Sequence, residues 1–322
     1  VNWKNPKTCY SRSIELIKYG FGIYGIKKGR HVFKVFAFLK RNTKLLSHDE
    51  YRAGHIGYHC CNSRRLKNIR GYLVNIWANT PLEAKLGEAY YDSAFNEPEN
   101  FTKWWDGFPE VYFDSIDDWV EAGSLEPTRA TAVGLAIDPD WSLGDGPWLF
   151  DPVPDSPKEF KSHHLHMHES VVKTVERPEF KITKLIQFFK KDPQISEETF
   201  EKILSEDYLP KLSSLDDLRG LILNMRNKDI DQAIRGFYPA SGWHFSEKGK
   251  EERAEFCSLW DGAMELYFGS LEAFRNGRIK SPVNKDLRAI EKVLFSSLWW
   301  VEVDENLIIL PNRDPAPDFY FR

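Results

Sequence analysis

Trp105-Asp106-Gly107-Phe108-Pro109-Glu110-Val111-Tyr112-Phe113-Asp114-Ser115 returns 155 positions later as Trp260-Asp261-Gly262-Ala263-Met264-Glu265-Leu266-Tyr267-Phe268-Gly269-Ser270. The shared letters, W-D-G-x-x-E-x-Y-F-x-S, do not stand alone. Arg70-Gly71 and Asn75 recur 149 positions on as Arg219-Gly220 and Asn224, and Phe38-x-Lys40-Arg41 recurs 150 positions on as Phe188-x-Lys190-Lys191. Three matches in one order at a nearly constant offset identify a duplication. The period is that of a domain, too long for a solenoid repeat.

Each copy reads strand, helix, strand, strand, helix, strand. The first opens with an apolar strand from Val32 to Leu39, and Ser47 with Glu50 three residues on forms a capping box for the helix that follows. Strands near Tyr72–Trp77 and Phe108–Phe113, a short helix around Trp119 and a strand from His163 to Val172 complete it. The second repeats the order with Ile182–Phe189, a helix capped by Ser196, Leu221–Met225, Ala263–Phe268, a helix from Leu271 to Arg275, and Leu298–Leu310. This is the split βαβ order of ferredoxin-like units, whose sheet carries helices on one face only. The bare face needs a cover, and a second copy supplies one. The expected fold is α+β: two ferredoxin-like βαββαβ units in tandem, residues 31–175 and 176–322, closing into a dimeric α+β-barrel-type body with an interior pocket. Residues 1–30 are expected to be an extension packed on that body.

Composition narrows the function classes. A net charge of −4 over 322 residues gives no electrostatic reason to expect nucleic acid or an anionic membrane as partner. No run approaches the ~20 apolar residues of a membrane helix; Glu15, Lys18 and three glycines interrupt the nearest one, Ile14 to Ile26. Four cysteines without a CxxC pair make neither a disulfide framework nor a zinc finger, so a reducing, cytoplasmic setting is expected. Eleven Trp, 22 Phe and 13 Tyr exceed what two cores usually need, which is read either as unusually large aromatic cores or as rings lining a pocket for a flat apolar ligand. The expected partner is a small aromatic molecule, and the protein a monomer or homodimer.

At the repeated block and at the helix opening on Ser47, the sequence resembles the EthD family of the dimeric α+β-barrel superfamily. Members usually carry a histidine twelve residues after that serine and a proline two residues later. Here the histidine is His59 and Cys61 replaces the proline; in the second copy the position holds Tyr208, and Pro210 keeps the proline. The resemblance implies that the first copy is the chemical one. It also implies a barrel-like pocket and a range of activities: cofactor-free polyketide cyclases, decarboxylases, small-ring oxygenases and isomerases, with some haem-using relatives.

The residues themselves suggest a constellation. On a strand, alternate residues share a face, so His164, His166 and His168 point one way, and His163, Leu165 and Met167 the other. Alignment with the second copy sets Val301 and Val303 against Leu165 and Met167, so this apolar row is expected under the helices and the three histidines in the barrel interior. His55 and His59 share a helix face, and Glu110 and Tyr112 share a strand face. The expected catalytic set is His59, His164, His166 and Tyr112, with Asn75, Glu110, His55, His168 and Trp105 against the substrate. A neutral imidazole suits proton transfer to or from carbon, and Tyr112 and Asn75 could donate to an oxyanion. The leading expectation is a cofactor-independent lyase or cyclase (decarboxylation, retro-aldol or aldol-type chemistry) on an aromatic or polyketide-like compound. No cofactor and no metal are expected. The competing readings are a metal enzyme using the His-x-His-x-His strand, and a ligand- or haem-binding protein without turnover.

Overall fold

Eight strands carry the repeated letters: β1 (Phe33–Leu39), β2 (Gly71–Trp77), β3 (Gly107–Phe113), β4 (Ser162–Lys173), β5 (Thr183–Lys191), β6 (Leu218–Arg226), β7 (Gly262–Phe268) and β8 (Phe295–Ile309). The computed structural model describes residues 32–311, apart from 65, 125–147, 154–155, 230, 237 and 239–241, so the expected extension over residues 1–30 lies outside the described residues. The strands close into an antiparallel barrel in the order β1-β3-β2-β8-β5-β7-β6-β4, with β4 returning to β1. Each half supplies a block of the same internal order, β4-β1-β3-β2 and β8-β5-β7-β6. The last strand of each half pairs with the second strand of the other, β8 with β2 and β4 with β6. Closure leaves no open edge on the main sheet.

Local rules place the helices as the sequence predicts. Ser47 accepts from the Glu50 backbone N–H and its own N–H donates to the Glu50 carboxylate; Ser196 caps the equivalent helix in the second half. Among the helices that were not anticipated is Val283–Leu294. Its signal is the spacing of Val283, Leu287, Ile290 and Leu294 behind Pro282, a 3.6-residue stripe that leads straight into β8 without a loop.

The faces of the strands are the reverse of the expectation. Phe36, Phe38, Trp77, Phe108, Leu165, Met167, Ile186, Phe188, Ala263, Trp299, Val301 and Val303, from seven of the eight strands, pack as one cluster, which in a closed barrel is possible only inside it. The apolar row of Leu165 and Met167 therefore fills the interior. His164 and His166 lie on the outer, helix-covered face, and His168 on the same row is exposed. Alternating apolar residues suit a helix-covered face and a barrel interior equally well; here the second sheet, not the helices, claims them. The interior is packed rather than hollow, with Trp105, Phe256 and Trp260 completing its aromatic end.

Beyond the aromatic end the interior is ionic. Lys34 Nζ lies 2.8 Å from Glu110 Oε2, 2.8 Å from Glu169 Oε2 and 2.5 Å from Glu265 Oε1. Lys184, the counterpart of Lys34 in the second half, lies 2.6 Å from Glu110 Oε1, 2.9 Å from Glu265 Oε2 and 3.2 Å from Glu305 Oε1. Asn75 and Tyr112 donate to Glu110, and Asn224 and Tyr267 to Glu265. Both lysines and both central glutamates are fully buried or nearly so. Burial alone would raise the Glu265 carboxyl, but the ammonium groups of Lys184 and Lys34 outweigh it and hold it well below 4.5. Burial opposes the charge on Lys184 in the same way, and the carboxylates around it, Glu110 first, hold it well above 10.5.

The loops between second and third strands cross between the halves. From the first half, Leu82, Leu86, Tyr90 and Ala94 pack into the helix layer of the second, and Trp300 Nε1 donates to Ser93 O at 2.8 Å. From the second half, Ala233, Ile234 and Tyr238 pack into the helix layer of the first, and Trp119 Nε1 donates to Ala233 O at 2.7 Å.

Removing one lysine strands several buried carboxylates against one another. Lys34→Met should cost about 3–5 kcal/mol in urea unfolding at pH 7; a loss below about 1 kcal/mol would contradict the pairing described. The Glu265 contribution is present above pH 4.5 and is lost as pH falls through its lowered folded value. The Lys184 contribution is present below pH 10.5 and is lost as pH rises through its raised one.

Candidate functional site

A cavity opens between the outer face of the first-half strands and the helices above it. Ala37, His59, Ser63, Trp119, His164 and Tyr238 line it, with Tyr72 and Phe160 adding further rings. About 50 Å³ is open to the centres of water-sized molecules, room for roughly three to five waters at the ~10–15 Å³ each requires.

Helix geometry delivers His59. The helix His48–Gly54 widens into a π-helical turn, His55–His59, before ending as Cys60–Ser63. The wide turn holds His55 and His59 buried on one face, their rings edge-on at 5.1 Å, and Phe150 stands edge-on to both. His59 Nε2 is 2.9 Å from Ser63 Oγ, and His55 Nδ1 is 2.9 Å from Tyr51 OH, while His55 Nε2 has no hydrogen-bond partner among the described residues. The second half repeats the π-helical turn over Leu204–Tyr208. Such turns are uncommon and concentrate at functional positions.

Strand pairing delivers His164. It stands opposite Ala37 in the β1–β4 register, between the rings of Trp119 and Tyr238 at 6.0 and 5.4 Å. Its Nδ1 is 3.2 Å from Ser162 Oγ, which in turn is 2.8 Å from Tyr238 OH. Burial pushes the His164 imidazole down to about 3, and likewise His163 to about 3 and His166 to about 4. Burial also holds His55 and His244 well below 6.5.

The expected constellation therefore divides. His59 and His164 meet at the cavity, with His55 packed behind His59. His166 sits one step along the same face, against Phe33 at 4.3 Å, with Nδ1 2.6 Å from Gln232 Oε1; Asn227 Nδ2 lies within reach of both His166 and His168. Tyr112, Glu110 and Asn75 are on the other side of the sheet, committed to the ionic centre, and Trp105 is in the aromatic end of the barrel against Phe38 and His163. Strand alternation put Glu110 and Tyr112 together correctly but could not say that their face looks away from His59. Among the described residues no three His, Cys, Asp or Glu side chains gather as a metal site. Cys60 is buried and its thiol pushed up to about 12 by that burial, which removes it as a nucleophile. Ser63, Trp119, Ser162 and Tyr238 escaped the sequence reading. Ser63 alone left a trace there, four residues after His59 on the same helix.

At the equivalent position the second half carries larger side chains. Gln187 replaces Ala37, Trp300 pairs with it in place of His164, and Tyr208 replaces His59. Tyr208 OH donates to Glu291 Oε1 at 2.8 Å and sits 3.1 Å from Gln187 Oε1; Arg278 Nη2 donates to the same Glu291 oxygen at 2.6 Å. All five side chains are buried.

No family model and no curated protein matches the chain. Solved structures similar in outline include a candidate monooxygenase from Fusobacterium nucleatum subsp. nucleatum (8% identity, TM-score 0.45, covering 89% of this chain and 96% of that one). A candidate monooxygenase from Lactobacillus acidophilus is similar at 10% identity and TM-score 0.45, over 86% of this chain and 95% of that one. An anthrone oxidase-like protein is similar at 8% identity and TM-score 0.43, over 87% and 94%.

Five histidines buried in their neutral form have a consequence for stability. Each takes up a proton more readily in the unfolded chain, starting near pH 6.5, so each weakens the fold by up to about 1.4 kcal/mol per pH unit below that point until its folded value is reached. The urea midpoint should therefore drop between pH 7 and pH 5, above the range in which Glu265 matters. An unchanged midpoint would show that these imidazoles take up protons as readily in the fold as in the unfolded chain.

Proposed function

We propose that the chain is a fused pair of ferredoxin-like units of the EthD type, residues 31–175 and 176–322, in which only the first keeps a small-molecule site. At that site the reading is cofactor-independent proton transfer at carbon, of the kind used in decarboxylation, retro-aldol cleavage or cyclisation, on a small aromatic compound. The observation that carries it is the contrast between equivalent positions. Ala37, His59 and His164 line a cavity, where their counterparts Gln187, Tyr208 and Trp300 are larger and buried, with Tyr208 bonded to Glu291 and Gln187. Two imidazoles on the wall of a cavity support a ligand there over packing alone.

The chemistry follows from the walls. His59 is the proton carrier, with Ser63 Oγ at 2.9 Å as its nearest relay toward the cavity. His164 stays neutral at physiological pH and holds a polar atom of the substrate by hydrogen bonding. Trp119, Tyr72 and Phe160 supply ring surface that stacks on an aromatic substrate and keeps water out. The size of the space favours a single-ring compound over a polycyclic one. The metal reading loses ground because His164 bonds to Ser162 while His166 and His168 share Asn227, and among the described residues no three such side chains gather as a metal site.

Phenylacetone, a single-ring ketone with exchangeable protons next to its carbonyl, provides a direct assay. Deuterium wash-in from D₂O, followed by NMR, should be faster with the protein than in buffer. His59→Ala should cut that acceleration by ~10²-fold or more, and Tyr208→Phe should leave it within about two-fold. Equal losses from the two variants, or no acceleration by folded wild-type protein, would remove the proposal.

A further inference from the structure

The second imidazole of the cavity is held by a short chain of hydroxyls drawn from both halves. Ser162 Oγ lies between Tyr238 OH, at 2.8 Å, and His164 Nδ1, at 3.2 Å, and all three residues are buried. A serine hydroxyl has one proton and can donate to only one of these neighbours. A phenol is the better donor and the poorer acceptor of the two hydroxyls, which favours the order in which Tyr238 donates to Ser162 and Ser162 donates to Nδ1. Nδ1 then carries the lone pair, and the ring's own proton sits on Nε2.

We propose that Ser162 and Tyr238 are positioning residues that lock His164 in the Nε2–H form, so that this wall of the cavity offers a neutral N–H to an oxygen of the ligand, a carbonyl that gains charge as an enolate. The ligand clause rests on the cavity being the substrate site; the tautomer does not. The second half provides an independent parallel. The register position of His164 is there Trp300, an obligate N–H donor, and its partner at 2.8 Å is a carbonyl oxygen, Ser93 O, brought by the crossing loop. A fixed neutral donor adds stabilisation where negative charge develops and needs no reorganisation when it does. It also divides the labour, leaving His59 as the group that exchanges a proton with the substrate.

The test is a long-range ¹H–¹⁵N correlation spectrum of protein labelled on histidine nitrogen, with His164 identified by its absence in His164→Gln. Wild type should show a bare Nδ1 and a protonated Nε2, unchanged between about pH 5.5 and 8. Ser162→Ala should collapse this into a mixture, and Ser162→Thr, which restores the hydroxyl, should recover it. Tyr238→Phe removes one oxygen from the chain and should weaken the preference even if Ser162→Ala does not fold. A protonated Nδ1 in wild type, or shifts that ignore Tyr238→Phe, would overturn the proposal. Phenol serves as a stable stand-in for an enol: adding it should move the Nε2–H resonance downfield. If the tautomer is as stated but phenol perturbs only His59, the cavity reading survives and the ligand clause falls. If phenol perturbs neither ring, the cavity reading falls and the tautomer stands.

Discussion

Two ammonium groups and four carboxylates share the middle of the barrel, and the rest of the molecule is arranged around keeping them together. Lys34 and Lys184 each bridge Glu110 and Glu265, so each half's glutamate is compensated by a lysine from the other. A one-residue slip in any central strand would turn its member of this cluster out under the helices. The cluster thus fixes which face of every strand looks inward. It also ties the two halves together across the barrel, since Lys34 of the first half pairs with Glu265 of the second and Lys184 of the second with Glu110 of the first.

Once the inward faces are committed, the cavity under the helices is built from the alternate residues. Glu110 and Tyr112 occupy the interior, so the alternate residues, including Val35, Ala37 and His164, meet the helix layer. There the two halves differ in several side chains. A small residue at position 37 and imidazoles at 59 and 164 line the cavity; a glutamine, a tyrosine and a tryptophan are their larger counterparts. The crossing loops turn this into a joint construction. Tyr238 and Ala233 from the second half close the cavity of the first, and Tyr90 and Ser93 from the first half close over Trp300 of the second.

Much of the fold was legible because duplication leaves letters behind. The repeated block, the Ser47 capping box and the strand alternation located all eight strands and the first helix of each half. The alignment of His164, His166 and His168 with Trp300, Glu302 and Asp304 agrees with the observed registers. What alternation could not decide was which row faces inward, since both faces of a closed barrel's sheet are covered. The deciding signal was present but unread. Lys34 is the lone charge in β1, shares parity with Phe36 and Phe38, and recurs as Lys184 in β5 at the same 150-residue offset as the neighbouring motif. A buried charge conserved between copies of one strand implies a partner on the facing sheet. The cavity was harder to see, because Trp119, Ser162 and Tyr238 come from a helix, a strand and a loop with no common spacing.

The central claim is that one cavity, under the helices of the first half, takes a small ring compound while the equivalent position of the second half does not. A crystal structure of the protein soaked with phenol addresses it directly. The account predicts ring-shaped density against Trp119 with its oxygen toward His59 or His164, and none beside Gln187, Tyr208 and Trp300. Density between Lys34 and Lys184 inside the barrel, or equal occupancy under the helices of both halves, would contradict it.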